Sequence, residues 1–177
     1  FNYVEIGEGQ PIIILHGLMG GLSNFDGVAE FFSKNGYMVV LPELPLYSLS
    51  LLKTNVKSFS NYLNDFIEFK GYKDVILIGN SLGGHVGLYY TKLYPTQVKG
   101  LIITGSSGLY ESAMGSGYTK RSDYDVMKAK AQEVFYDPAV ATKTIVDEVY
   151  ETVNNRVKLN KILAIAKSAI RHNMAKD

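Results

Sequence analysis

One serine has a spacing that could support covalent chemistry. Residues 79–84 read Gly-Asn-Ser-Leu-Gly-Gly, which contains the pattern Gly-x-Ser-x-Gly around Ser81. The run follows a buried apolar segment at 75–78 and precedes an amphipathic segment, so it predicts a strand that turns directly into a helix. Such a turn strains its central residue and requires small residues two positions before and after it. We predict that Ser81 is a nucleophile; the alternative is a capping serine at a glycine-rich helix start.

A second glycine-rich turn follows another apolar segment. Residues 16–21 read His-Gly-Leu-Met-Gly-Gly. The glycines let backbone N–H groups point at one spot above a sheet, where two donors can hold the oxyanion of a tetrahedral intermediate. We predict that the Leu82 amide, at a helix N-terminus, is one donor and the Leu18 amide the other, with Met19 in reserve; a plain glycine-rich loop is the alternative. Four residues of the two turns are predicted to contact substrate: His16, Gly17, Met19 and Asn80.

Short apolar runs and amphipathic stretches alternate before residue 110, as in the strands and crossover helices of a parallel sheet. Strands are predicted at 1–6, 11–15, 37–41, 75–78 and 98–104. Helices are predicted at 25–34, 55–70 and 83–94. In the helix at 55–70, apolar residues recur at helical spacing and predict a core-facing stripe: Val56, Phe59, Leu63, Phe66 and Ile67. The fold class is therefore α/β, with a mostly parallel sheet and flanking helices.

The last 60 residues have a different character. All 17 glycines lie at or before Gly117, and the remainder reads as successive helices. Ser122 or Asp123 is predicted to cap the first, and Asp137 with the proline after it to start another. Such helices could cover the crevice at the strand ends, where open α/β sheets bind ligands. A partner-binding helical hairpin and ordinary core packing are the alternatives.

Composition excludes several classes of protein. The chain has 177 residues, 46% of them hydrophobic, and a net charge of +1, which fits a soluble domain and not a disordered one. Without cysteine it has no disulfide, thiolate metal site or thiol nucleophile. No apolar run reaches the roughly 18 residues of a membrane span, and no signal peptide follows residue 1. We predict a cytoplasmic protein that binds no nucleic acid, because its small surplus of cations is spread over helices.

The two turns, together with residues 41–48, resemble the α/β-hydrolase family over about residues 1–110. At 41–48 the chain departs from the pattern, because many members have a glycine-containing stretch there and this chain has none. The resemblance implies an incomplete α/β-hydrolase core at 1–111 and an all-helical lid at 112–177. It also implies that neither a metal nor an organic cofactor is required.

The expected partners of the nucleophile are missing. A serine hydroxyl needs a histidine to take its proton and a carboxylate to orient that histidine. The resemblance implies the chain order serine, acid, histidine, yet only His85 and His172 follow Ser81. We predict that His85 packs within its helix and that His172 is a surface residue. No aspartate of the helical region follows a buried strand: Asp123, Asp125, Asp137 and Asp147. We therefore expect the acid and base to lie in strands outside this sequence, which alone should be nearly inert.

These features predict a serine hydrolase that cleaves a carboxylic ester or a related small acyl compound through an acyl-enzyme at Ser81. The run at 79–84 also resembles hydrolases that cleave carbon–carbon bonds in ring-fission products. Their oxyanion turn usually carries a Gly-Pro element that residues 16–21 lack, so hydrolysis of a carbon–carbon bond is the second-ranked interpretation. A hydrolase-like binding protein without turnover is a further alternative. A serine at this turn, where other branches have aspartate, argues against dehalogenases and epoxide hydrolases.

Overall fold

A mostly parallel sheet forms the centre of the computed structural model, which describes residues 1–19, 22–110 and 120–176. Its five strands are β1 (Tyr3–Ile6), β2 (Gln10–Leu15), β3 (Tyr37–Pro42), β4 (Val75–Asn80) and β5 (Val98–Thr104). Their order across the sheet is β1-β3-β2-β4-β5. Strand β1 is antiparallel to β3 at one edge, and the other neighbouring pairs are parallel. The predicted α/β class is confirmed, and the carboxyl ends of β2 and β4 lie side by side.

Three helices connect the strands: α1 (Asp26–Lys34), α2 (Val56–Lys70) and α3 (Leu82–Leu93). Helix α2 begins after Asn55, whose side chain accepts a hydrogen bond from the Ser58 N–H, and it ends at Gly71 in the left-handed conformation. The predicted stripe of α2 is confirmed, since its members are at most 1% exposed: Val56, Phe59, Leu63, Phe66 and Ile67.

The sheet has a separate apolar core on each face because successive side chains of a strand point in opposite directions. On one face, Ile13 and Leu15 of β2 pack with residues of α2 and α3. On the other face, Ile12 and Ile14 pack with Ala29 of α1. This two-sided burial explains why β2 is continuously apolar.

The C-terminal helices are α4 (Tyr124–Gln132), α5 (Lys143–Asn154) and α6 (Arg156–Arg171). Asp123 caps α4 by accepting from the Val126 N–H. The proline after Asp137 begins only the short 3₁₀ helix Pro138–Val140. None of the helices in the described ranges is both long and apolar enough to cross a membrane. The predicted boundary between residues 111 and 112 lies outside the described residues, so the division into core and lid stays a prediction.

Helix α6 packs onto the sheet core. Ile165 is buried in the same cluster as Phe59 and Leu63 of α2. The Ser168 hydroxyl accepts a hydrogen bond of 3.0 Å from the Val56 N–H at the start of α2. These contacts fix α6 against the face of the sheet that α2 and α3 cover.

Candidate active site

Ser81 occupies the single residue between β4 and α3, and its backbone is strained. Its φ is 52° and its ψ is −117°, a sparsely populated positive-φ conformation that costs a non-glycine residue about 1–3 kcal/mol. The surroundings hold it in place. The Ser81 N–H donates to the Thr104 carbonyl oxygen at 3.0 Å, and the Ser81 carbonyl accepts from the N–H groups of His85 and Ser107 at 3.2 and 3.1 Å. Strand β5 and the loop after it therefore enforce the turn.

The glycines around Ser81 are required by close approach. A Cβ at Gly79 would lie 2.6 Å from the Gly84 Cα, and a Cβ at Gly83 would overlap the carbonyl oxygen of Leu15 in β2. Both distances are shorter than van der Waals contact. The two glycines therefore let β4, α3 and β2 meet at one point, which is the physical basis of the Gly-x-Ser-x-Gly pattern.

The two glycine-rich turns are in contact with each other. A Cβ at Gly17 would lie 3.3 Å from the Cβ of Ser81 and 3.3 Å from Oδ1 of Asn80. Gly17 is thus the point at which the turn after β2 reaches the turn after β4. Gly20 and Gly21, the other glycines of the first turn, lie outside the described residues.

His16 holds the first turn in place through both ring nitrogens. Its Nδ1 lies 2.8 Å from the Gly17 carbonyl oxygen, and its Nε2 accepts from the Leu44 N–H at 2.9 Å. Because Nε2 accepts, the proton is on Nδ1 and the ring is neutral. Burial lowers the pKa of His16, against a smaller opposing effect of the Gly17 carbonyl. An imidazole engaged on both sides has no nitrogen left to take a proton from Ser81.

The two predicted oxyanion donors are the backbone N–H groups of Leu82 and Leu18. Leu82 is the first residue of α3, so its N–H has no acceptor within the helix and sits at the positive end of the helix dipole. In the described part of the chain, no backbone acceptor is bonded to the Leu18 N–H. This arrangement is suited to stabilising negative charge next to Ser81.

A cavity of about 800 Å³ lies beside the turn that follows β2. His16, Leu18 and Met19 line it from the first turn, and Tyr62 lines it from α2. Helices α5 and α6 close another side with three residues: Glu148, Thr152 and Lys158. Ser81 and Asn80 are not among the lining residues. Gly17, which lies between the lining residues His16 and Leu18, is the residue of this turn that contacts Ser81.

Asn80 faces β5 and not the cavity. Its Nδ2 donates to the backbone oxygen and to the hydroxyl of Thr104, both at 3.1 Å. Of the four residues predicted to contact substrate, the structure thus places His16 and Met19 on the cavity wall, Gly17 against Ser81, and Asn80 on Thr104. In this position Asn80 helps to hold the turn that carries Ser81.

The segment after β3, which carries part of the family resemblance, supplies cavity residues that were not among the predicted site residues. Residues 43–48 form a wall of the cavity, and the Glu43 carboxylate accepts a hydrogen bond of 2.5 Å from Asn2 Nδ2. Tyr62 faces the same space, and burial raises the pKa of its hydroxyl, with the Glu43 charge adding to the effect. The signal available in the sequence was the largely apolar segment 41–48, which has two prolines and no strand or helix period and must therefore be buried by other parts of the chain.

Neither later histidine reaches the Ser81 hydroxyl. His85 is fully buried, and its Nε2 lies 2.8 Å from the His172 carbonyl oxygen. The expectation that His172 is a surface residue is wrong. Its ring packs edge-on against Tyr89 with the centroids 5.2 Å apart, because the end of α6 docks beside α3. Burial lowers the pKa of His172, and the charges of Arg171 and Lys57 add to this effect.

Three of the four aspartates considered in the helical region have structural partners. Asp123 and Asp137 cap helices, and Asp147 bonds to Lys143 and to the Tyr124 hydroxyl. Within residues 1–19, 22–110 and 120–176, no group of three or more histidine and carboxylate side chains could hold a metal ion. Among the described residues, the histidines and these aspartates thus have partners other than the Ser81 hydroxyl, and the nucleophile and its two amide donors stay predictions.

This chain belongs to the family described as the alpha/beta hydrolase fold, whose sequence model matches residues 10–145. It is similar to a 2-hydroxy-6-oxononadienedioate/2-hydroxy-6-oxononatrienedioate hydrolase of Comamonas testosteroni, at 35% identity over 61% of this chain and 40% of the relative. It is also similar to Lipase 1 of Psychrobacter immobilis, at 27% identity over 76% of this chain and 44% of the relative.

Solved structures agree with this assignment. An alpha/beta hydrolase enzyme from the metagenome of sediments of the Mar Chica lagoon, Morocco, has 55% sequence identity and a TM-score of 0.75. The match covers 99% of this chain and 65% of that one. A 2-hydroxy-6-oxo-6-phenylhexa-2,4-dienoate hydrolase from Rhodococcus shares the fold at 18% identity, with a TM-score of 0.77, over 98% of this chain and 69% of that one. The chain thus spans from 40% to about two thirds of the lengths of these relatives.

Proposed function

We propose that this protein is a serine hydrolase that cleaves a carboxylic ester or a related small acyl compound. The Ser81 oxygen attacks the carbonyl carbon, the alcohol leaves with a proton, and water then hydrolyses the acyl-enzyme. The observation that carries the proposal is the strained positive-φ conformation of Ser81 between β4 and α3, with Gly17 packed against it. Enforced strain at a serine in this position is difficult to explain by packing alone, because glycine would be accommodated there at lower cost.

The developing negative charge is assigned to backbone donors. The Leu82 amide at the start of α3 and the Leu18 amide would hold the oxyanion, with Met19 as the reserve for Leu18. The contact between Gly17 and Ser81 supports this assignment because it brings the two turns together. The two ring contacts of His16 support it further, since they fix the backbone from which Leu18 projects.

The general base and its acid are proposed to come from polypeptide outside these 177 residues. In the described part of the chain, both imidazoles that follow Ser81 are committed elsewhere, and the relatives are longer. Strand β5 is an edge of the sheet, and its apolar residue Ile102 is 48% exposed. An apolar side chain on an unpaired edge favours further structure beside β5.

Helices α4–α6 are proposed to act as a lid over the cavity. Two of them contribute lining residues, which are Glu148 and Thr152 of α5 and Lys158 of α6. A substrate in the cavity would therefore contact both the core and these helices. We also propose that the protein acts in the cytoplasm without a metal or organic cofactor, because an acyl-enzyme needs only water to turn over.

A carbon–carbon bond hydrolase is the second candidate. The similarity to two hydrolases of Comamonas testosteroni, at 35% and 26% identity, favours it. The lipase among the relatives favours the ester hydrolase instead. A binding protein without turnover is the third candidate, and the lack of a base near Ser81 in the described residues is its support.

Steady-state hydrolysis tests these candidates on the full-length protein. We expect p-nitrophenyl acetate to be hydrolysed and Ser81→Ala to lower kcat by on the order of 10⁶. Ser33→Ala on the outer helix α1 is the control and should retain the wild-type rate, because the Ser33 hydroxyl bonds only within its helix. Turnover of a dienoate ring-fission compound without ester hydrolysis would favour the second candidate. Substrate binding without turnover of either compound would favour the third.

A further inference from the structure

Lys161 is a buried cation on the inner face of α6. Its side chain is held by two backbone oxygens, since Nζ donates to the Tyr47 carbonyl at 2.6 Å and to the Leu49 carbonyl at 2.5 Å. The residue is only 9% exposed, and none of the ion pairs found between described residues includes it. Burying an ammonium group is unfavourable unless other groups replace its water. The two carbonyls are therefore what makes this position tolerable for lysine.

Both carbonyls belong to the segment Leu44–Leu49 that follows β3, of which residues 44–48 line the cavity. Tyr47 and Ser48 line the cavity, and the segment has few hydrogen bonds of its own, such as that from the Leu46 N–H to the Leu44 carbonyl. At its first end the wall is held by the ring of His16, which accepts from the Leu44 N–H. At its other end it is held by Lys161. A segment without helix or strand bonding takes its shape from such outside contacts.

Other residues of α6 contact the same stretch of chain. Lys158, one turn before Lys161, has its Nζ 5.4 Å from the centroid of the Tyr47 ring. Ser168, two turns after Lys161, accepts from the Val56 N–H. Of these contacts, the one from Lys161 is made to the backbone of the wall itself, whereas the Ser168 bond is made to the start of α2. A substitution of Lys161 therefore tests the positioning of the wall, whereas a substitution of Ser168 tests the docking of α6 onto the core.

We infer that Lys161 is a positioning residue that sets the cavity wall at Leu44–Leu49 and thereby the size of acyl group that the cavity accepts. The inference rests on the proposed hydrolase function. Loss of the ammonium group would leave the Tyr47 and Leu49 carbonyls without their donor and free the wall to move. A wall that moves changes the fit of a long acyl chain more than that of an acetyl group.

The test compares three variants of the full-length protein. Lys161→Met keeps an unbranched side chain of similar length and removes the donors, Lys161→Arg keeps donors, and Ser168→Ala removes a bond between α6 and the core that is not made to the wall. Two quantities are measured for each: amide hydrogen exchange of the peptide that contains residues 44–50, and kcat and KM for p-nitrophenyl octanoate and acetate.

We expect Lys161→Met to speed exchange in that peptide and to change the octanoate-to-acetate ratio of kcat/KM by about tenfold, mainly through KM. Lys161→Arg should keep the ratio within about twofold of the wild type, and Ser168→Ala should lower stability without changing the ratio. Equal effects of Lys161→Met on both esters, or an equal change of the ratio in Ser168→Ala, would overturn the inference. If the wild type hydrolyses neither ester, the proposed function fails, and unchanged exchange at 44–50 in Lys161→Met would separately overturn the role of Lys161.

Discussion

Backbone strain in the described chain is confined to a few residues, and Ser81 is one of them. Ser81 and Asp74 are the two non-glycine residues with positive φ there, at 52° and 53°. Asp74 lies in the turn before β4, where aspartate is tolerated because its short side chain suits the left-handed region. This explanation does not apply to Ser81, because it lies between a strand and a helix. The position keeps serine despite the strain, which is the pattern expected of a functional residue.

Relieving this strain should stabilise the protein. We expect Ser81→Gly to raise the free energy of unfolding by about 1 kcal/mol, because the relief of about 1–3 kcal/mol exceeds the added entropy of the unfolded chain. Ser81→Ala keeps the Cβ and should leave stability near that of the wild type. Asp74→Gly is the matched control and should stabilise without affecting hydrolysis. Chemical denaturation measures all three, and equal midpoints for Ser81→Gly and Ser81→Ala would show that no strain is stored.

The close approach of the backbone at Gly83 predicts that a substitution there lowers the free energy of unfolding, in contrast to Ser81→Gly. Gly83→Ala should destabilise the protein by about 3 kcal/mol, because the new methyl group would overlap the Leu15 carbonyl oxygen and push α3 away from β2. Gly27→Ala in α1 is the matched substitution, since nothing lies within 4 Å of its added Cβ. It should stabilise by about 1 kcal/mol through helix propensity. Thermal unfolding of both variants checks this, and similar melting temperatures would contradict the packing account.

Local periodicity explains why most elements could be predicted from the sequence. The stripe of α2 and the continuous apolar run of β2 depend on neighbours two to four residues away, so the chain itself displays them. The turn at Ser81 was predictable for the same reason, because its glycines are close in sequence. The predicted cap of α4 at Asp123 was local in the same way, whereas the packing of Phe135 against the cluster of Ala131 and Val146 was not.

Long-range contacts explain what could not be predicted. The bond between Lys161 and the Tyr47 carbonyl joins residues 114 positions apart, and that between His16 and Leu44 joins residues 28 positions apart. No local pattern reports such a contact, so the contacts that hold the segment after β3 were visible only in the structure. The docked position of His172 was missed for the same reason.

His16, whose ring accepts from the Leu44 N–H after β3, should make the free energy of unfolding depend on pH. Burial lowers the pKa of His16 below its ordinary 6.5 in the folded protein, so as pH falls below 6.5 the unfolded chain binds the proton first. The stabilisation is complete above that pH and decreases towards the lower folded pKa. His172, whose pKa is also lowered, adds to the same trend.

Denaturation between about pH 8 and pH 5 measures this dependence. His16→Gln can still accept from the Leu44 N–H but does not titrate, so we expect a shallower loss of stability towards acid than in the wild type. His172→Asn should retain the share that comes from His16. A His16→Gln variant with the full wild-type slope would show that His16 is not neutral and bonded as the structure has it.

On the scale of the whole molecule, the described residues contain the strand–turn–helix unit around Ser81 but no histidine and carboxylate beside its hydroxyl. Strand β4, α3 and the turn after β2 place Ser81 and its neighbouring amides, and helices α5 and α6 close a cavity beside them. The described residues hold no free imidazole next to Ser81, while a relative with 55% identity is matched over only 65% of its length. We therefore propose that Ser81 in this part of the protein is the nucleophile and that the residues for proton transfer lie in polypeptide outside it.

Covalent labelling of the full-length protein by a fluorophosphonate tests the central claim, that Ser81 is the nucleophile. The labelled protein is digested, and the modified residue is located by mass spectrometry. We predict one adduct on the peptide that contains Ser81 and none in Ser81→Ala. An adduct at another residue, or equal labelling of wild type and Ser81→Ala, would contradict the account.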